Sequence, residues 1–144
     1  MKNMDRWLGN GGMPIIETIG GRFDKYGLGQ DDLAFCEGIW IPTQMACNPH
    51  GTAQAGVQSV ILDAAMNFAI NSGLEGKDRT KATIEMKTNL IRAAFLDTQY
   101  VFVGRVIRIT KQVGFGFAEI LNADNEVISN ATGSFLLHRD IAEL

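Results

Sequence analysis

Cysteine, histidine and proline are all scarce in this chain, with two, two and three copies among 144 residues. Cys36 and Cys47 show neither CxxC spacing nor a multi-disulfide framework, and two histidines do not complete the ligand cluster of a typical zinc site. A reduced, cytoplasmic setting is the default expectation. Positive charge is also in short supply: 13 Lys and Arg against 16 Asp and Glu give a net charge of -3, which leaves no basic field for nucleic acid. Long apolar runs are missing too. The opening residues MKNMDRWLGNGG contain no signal-peptide core, and no later run free of polar residues is long enough to span a membrane. The expectation is a soluble protein with no membrane partner. The composition, 46% hydrophobic and 20% charged, excludes disorder as the main state and suits one domain with a substantial core.

The most informative stretch runs from Asn48 to Gly73, a loop of small and polar residues feeding an apolar helix. Helix signals hold from about Ala55 to Asn71, with no proline inside, Thr52 or Gln54 to serve the start and Gly73 to stop it. Val57, Val60, Ile61, Ala64, Ala65 and Phe68 share one broad face at 100° per residue. Ser59, Asp63 and Asn67 follow at i, i+4 on a narrow stripe that Leu62, Met66 and Ile70 flank or oppose, so the helix is apolar nearly all round and buried. An ionised Asp63 in such a place is costly unless it is hydrogen-bonded or used for chemistry; an Asp at a subunit seam or an exposed position is the plainer alternative.

Residues 1–30 carry glycine at 9, 11, 12, 20, 21, 27 and 29, which breaks any long element, and only Pro14 to Ile19 reads as a short helix. They are expected to form an N-terminal extension of short helix and loops, packed on a domain spanning 31–144. Leu33 to Ile41 reads as a strand ended by Pro42. After the helix the apolar period changes from 3.6 to 2. Thr80 to Ile91, Tyr100 to Thr110, Val113 to Leu121 and Val127 to His138 then read as strands, the last three joined by connections short enough for an antiparallel meander. The expected class is α+β: one strand, a buried helix and four strands, forming an antiparallel sheet that wraps the helix.

Asn48-Pro49-His50-Gly51-Thr52-Ala53-Gln54-Ala55-Gly56-Val57, followed by Leu62-Asp63, resembles the signature of hotdog-fold acyl-CoA thioesterases of the phenylacetate-degradation (PaaI-type) branch. Thr83-Ile84-Glu85-Met86-Lys87 with Leu90-Ile91-Arg92 looks like that family's second strand, and Ala131-Thr132-Gly133-Ser134-Phe135 like its last. The likeness covers roughly residues 33–138. The seven-residue step from Gly56 to Asp63 favours thioesterases over hotdog dehydratases, whose acid lies nearer the glycine. One departure stands out: Gln54-Ala55-Gly56 occupies the place of His-Gly-Gly. Gln54 donates and accepts hydrogen bonds but is no general base at neutral pH.

The resemblance implies acyl-CoA hydrolysis, with Asp63 as nucleophile or base and no cofactor beyond the CoA of the substrate. The backbone N–H groups of Ala55 and Gly56 open the helix, where unpaired donors and the positive dipole end face an incoming carbonyl. Asp63 lies eight residues from Ala55, about 12 Å along the axis, too far for both to touch one carbonyl carbon. Two antiparallel copies of the helix complete a site, so a homodimer is the minimum unit, and hotdog dimers commonly pair into a homotetramer. Asn48 matches a position that orients the nucleophile or its water, or else stabilises the Asn-Pro loop. Thr83 matches a Ser/Thr position beside the acid, or is a plain strand threonine. His50 reads as a loop residue and Cys47 as a packed thiol. Lys87, Arg92, Arg105 and Arg108 are candidates for CoA phosphates or solvated edge charges, and Met66, Phe68, Phe115 and Phe117 for the acyl pocket or plain core. Two rival functions remain at this level: an acyl-CoA-binding module that does not hydrolyse, given Gln54, and an enoyl-CoA hydratase that would use His50.

Overall fold

A computed structural model of the chain describes residues 1–139. The elements are α1 (Pro14–Thr18), β1 (Gly21–Leu28), β2 (Ala34–Trp40), α2 (Ala55–Ser72), β3 (Arg79–Leu90), β4 (Tyr100–Ile109), β5 (Val113–Leu121) and β6 (Val127–His138). All strands join one antiparallel sheet in the order β1-β2-β4-β5-β6-β3. The expected antiparallel sheet around one long helix is what forms, and the chain has the hotdog architecture.

The N-terminal region differs from expectation by contributing a strand, β1, that pairs with β2. Its sequence GRFDKYGL hides the alternation, because the register shifts between Phe23 and Lys25 and glycine stands near both ends. Phe23 nevertheless anchors it in the core. Its ring stacks on Phe68 of α2 at 4.4 Å between centroids and meets Phe102 of β4 edge-on at 5.2 Å. Trp40 closes the other end of this layer and satisfies its indole N–H on the Ile19 carbonyl at 2.9 Å.

Helix α2 packs against the sheet with Ile61, Leu62, Ala64, Ala65, Met66, Phe68, Ala69 and Ile70 all buried. Close approach is set by small residues. A Cβ added at Gly104 of β4 would collide with the backbone carbonyl of Ala65, the same carbonyl that accepts the Cys36 thiol at 3.1 Å. Helix and strand backbones meet there with no side chain able to yield. Gly104→Ala is therefore expected to destabilise the fold by about 1–3 kcal/mol or more, read as a fall in the chemical-denaturation midpoint, whereas the open position Gly56 tolerates alanine within roughly 1 kcal/mol. Burial pushes the Cys36 thiol up to about 12, so it is an inert core group.

Candidate active site

The loop before α2 is stitched to its surroundings by backbone. Asn48 N–H donates to the Thr52 carbonyl at 2.9 Å, Gly51 N–H to the Asn48 carbonyl at 3.1 Å, Ala53 N–H to the Ala94 carbonyl at 2.8 Å and Gln54 N–H to the Ala46 carbonyl at 2.9 Å. Gly51 takes a φ of +80°, which favours glycine at the turn. The Asn48 side chain works inside this loop: Nδ2 donates to Thr52 Oγ1 at 2.6 Å, while Oδ1 accepts the N–H groups of His50 at 2.9 Å and Thr52 at 3.2 Å. This is an Asx-type brace, and it fixes where the helix begins.

Gln54 is the N-cap residue, yet its exposed side chain makes no capping bond. Ala55 and Gly56 follow, both exposed, and their N–H groups have no hydrogen-bond partner among the described residues. Nothing lies within 4 Å of where a Gly56 Cβ would stand. Two unpaired donors at the positive end of an 18-residue helix thus face open space.

The polar stripe on α2 has partners that the one-dimensional pattern does not show. Ser59 donates to Thr88 Oγ1 at 3.4 Å; Asp63 Oδ1 accepts the Thr83 hydroxyl at 3.0 Å; Asn67 accepts the Thr80 hydroxyl; and Asn71 Nδ2 reaches Thr80 Oγ1 at 2.9 Å. Four successive turns of the helix are therefore hydrogen-bonded to threonines of β3, and Asp63 is one rung of that ladder. It differs from the others in being ionisable. Burial raises its pKa above the ordinary carboxylate value, and the Thr83 hydrogen bond offsets this in part. The sequence pattern singles out Ser59, Asp63, Asn67 and Thr83, but Thr80 and Thr88 carry no signal as isolated strand threonines.

Other candidates stand apart. His50 is exposed at the loop tip. Burial and the charge of Asp97 push the Cys47 thiol up, which disfavours the thiolate a nucleophile needs. Arg92 pairs with Glu126 at 3.2 Å, and Arg105 lies near Glu119 at 3.8 Å and over the Phe117 ring at 4.8 Å. Lys87 and Arg108 are exposed. Of the four suggested acyl-pocket residues, Met66 is core, Phe68 borders a cavity, and Phe115 and Phe117 lie on the sheet. Among the described residues no group of three or more His, Cys, Asp or Glu could hold a metal ion, and no helix is long and apolar enough to cross a membrane.

The family model described as Thioesterase superfamily matches residues 50–129, more than half of the chain, and spans both the helix start and Asp63. No curated protein matches by sequence. Solved structures share the fold at low identity. The PaaI protein of E. coli, from the phenylacetic acid degradation operon, aligns with a TM-score of 0.71 at 19% identity over 89% of this chain and 85% of its own. Zebrafish thioesterase superfamily member 2 aligns at 0.74 and 14%, over 88% of this chain and 87% of its own. A thioesterase family protein from Silicibacter pomeroyi aligns at 0.74 and 23%, over 87% and 89%.

Proposed function

Because the chain belongs to the thioesterase superfamily, we propose that it hydrolyses acyl-CoA to a carboxylic acid and free CoA, at a site shared between two subunits and needing no cofactor. The observation that carries this reading is the half-buried Asp63 carboxylate, held by Thr83 on the same helix whose first two amides stand unpaired. Asp63 acts either by attacking the thioester carbonyl itself or by taking a proton from an attacking water. In both routes the carbonyl oxygen gains negative charge, the Ala55 and Gly56 amides stabilise it, and the C–S bond then breaks to release the CoA thiolate, which takes up a proton; in the nucleophilic route water then hydrolyses the acyl–Asp63 anhydride to the carboxylic acid and frees the Asp63 carboxylate. Asn48 braces the loop that presents those amides, Gln54 stands at the helix start with its backbone N–H tied to the Ala46 carbonyl, and Thr83 orients the acid.

A second subunit is part of the proposal because Asp63 stands two turns from the helix start, about 12 Å along the axis. Strand β3 supports it. Among the described residues it is an edge paired only with β6, and it is exposed on both faces through Lys81–Glu85. Ile84, Leu90, Ile91 and Phe95 leave about half of their surface in solvent, at 56%, 49%, 52% and 52%. A long edge with exposed apolar residues calls for a cover. A twofold mate laid against β3 supplies one and brings its helix start toward Asp63. We therefore take a homodimer as the minimum unit, with pairing of dimers into a homotetramer as the further assembly, in the cytoplasm.

The test is thiol release from a panel of short, long and aromatic acyl-CoAs. Turnover of at least one member at a rate far above spontaneous hydrolysis is expected. Saturable acyl-CoA binding with no thiol released from any member would overturn the hydrolase reading in favour of a binding module, and Gln54→His would then be the reverting change.

A further inference from the structure

Gln58 lies in the first turns of α2, three residues after Ala55, and is 3% exposed. Its Nε2 donates to the Arg92 carbonyl at 3.4 Å, a long bond, and its Oε1 has no hydrogen-bond partner among the described residues. A carboxamide buried with its oxygen unpaired costs the fold more than an apolar side chain of the same size. The bond that Gln58 does make is therefore the place to look for a use.

It lands on the segment that carries the loop before the helix. Residues 91–96 follow β3 and are fixed to the sheet: the Ile91 and Arg92 N–H groups both donate to the Ile128 carbonyl of β6, at 3.0 and 2.9 Å, and the Phe95 N–H donates to the hydroxyl of buried Tyr100 on β4 at 2.9 Å. The loop hangs from the same segment, through the Ala53 N–H to the Ala94 carbonyl at 2.8 Å and the Leu96 N–H to the Gly51 carbonyl at 2.9 Å. Both of these ties end before the helix begins. Gln58 adds one from inside the helix, beyond Ala55 and Gly56, so the two unpaired amides stand between anchors at Ala53 and Gln58 that share one support. Resting on the hydrolase reading above, we propose that Gln58 is a positioning residue for hydrolysis: its bond to the Arg92 carbonyl completes this bracket and fixes where the Ala55 and Gly56 amides point. Oxyanion donors act only while aimed at the place where charge develops, so a small displacement weakens them most in the transition state. Gln58 acts through those amides and not on the substrate.

The experiment is a double-mutant cycle between Gln58→Met and Ala55→Pro, read as kcat and KM for thiol release. Met keeps the unbranched shape of Gln without its N–H groups, and Ala55→Pro deletes one of the two amides. Gln58→Met alone is expected to lower kcat about tenfold, with KM within about twofold of wild type, and to melt no lower than wild type. In the Ala55→Pro background the same change should cost about threefold or less, because the group it acts through is already damaged. An unchanged kcat in Gln58→Met overturns the proposal. So does an equal cost in both backgrounds, which would assign Gln58 to the fold. If wild type releases no thiol from any acyl-CoA, the hydrolase reading fails by itself, and the bracket is judged by backbone amide exchange. Ala53, bonded to the Ala94 carbonyl, should exchange about tenfold faster in Gln58→Met, while buried Ala118 within β5 stays unchanged. Equal exchange at Ala53 in the two proteins, or a rise that Ala118 shares, overturns the positioning role.

Discussion

Asp63→Asn is expected to lower turnover by a factor on the order of 10²–10⁴ and at the same time to raise thermal stability near neutral pH. The first effect follows from removing the base or nucleophile. The second follows from the sign of the pKa shift. Burial raises the Asp63 pKa in the folded chain, so the folded state holds its proton more tightly than the unfolded state does. Ionised Asp63 therefore costs stability at every pH above its raised pKa. That cost fades as pH falls through the raised value toward the ordinary one, about 3.9, and is gone below it. Asn carries no charge to desolvate and keeps an oxygen that can accept the Thr83 hydroxyl. The stability gain of the variant should thus be largest at pH 7–8 and shrink as the buffer is made more acidic. Thermal melts of both proteins across that range, beside a thiol-release assay, check the two effects together. Full activity in the variant would remove Asp63 from the chemistry, and a lower melting temperature at neutral pH would mean the carboxylate is structural. Wild-type kcat/KM should fall on the acid side with a midpoint above the ordinary carboxylate value, because the group must be ionised to act.

A carboxylate placed where burial works against its charge is more legible in the sequence than much of the fold around it. An acid on a helix apolar nearly all round violates the usual pattern, and the violation stands out from residue order alone. The helix and the four strands after it are plain because they are long, nine to eighteen residues each, so that their patterns stay legible although β3, β4 and β5 also carry register shifts. Strand β1 is hidden because a register shift after Phe23 breaks the alternation, and what holds it is a long-range aromatic cluster with Phe68 and Phe102. The threonine ladder is half visible: the helix side shows a stripe at i, i+4, but Thr80 and Thr88 acquire meaning only when β3 is laid beside α2. The cavity that Phe68 borders leaves no linear trace at all. Lys2, Arg6 and Trp7 sit in a glycine-broken segment with no period, and they meet Arg79 only through the fold.

A mixture of two dead variants should recover about a quarter of wild-type activity if the site is built from two chains. Asp63→Asn removes the acid. Ala55→Pro removes one helix-start amide with little cost to the helix: proline is welcome at the first helical position, and Gln54 before it already has the extended backbone, φ -58° and ψ 141°, that a following proline demands. Alone, loss of one such donor is expected to lower kcat by roughly 10²–10³-fold. After unfolding and refolding of an equal mixture, about half the dimers carry one chain of each kind. In such a dimer one site combines both lesions, while the other joins the intact Asp63 of one chain to the intact amides of its partner. One good site in two, in half the dimers, gives the quarter. A site contained in a single chain predicts no recovery, because every chain would then carry a lesion in its own site. Activity of the mixture that stays at the level of the separate variants, with heterodimers verified by native mass measurement, would therefore exclude the shared arrangement while leaving Asp63 and the helix-start amides as candidates within one subunit.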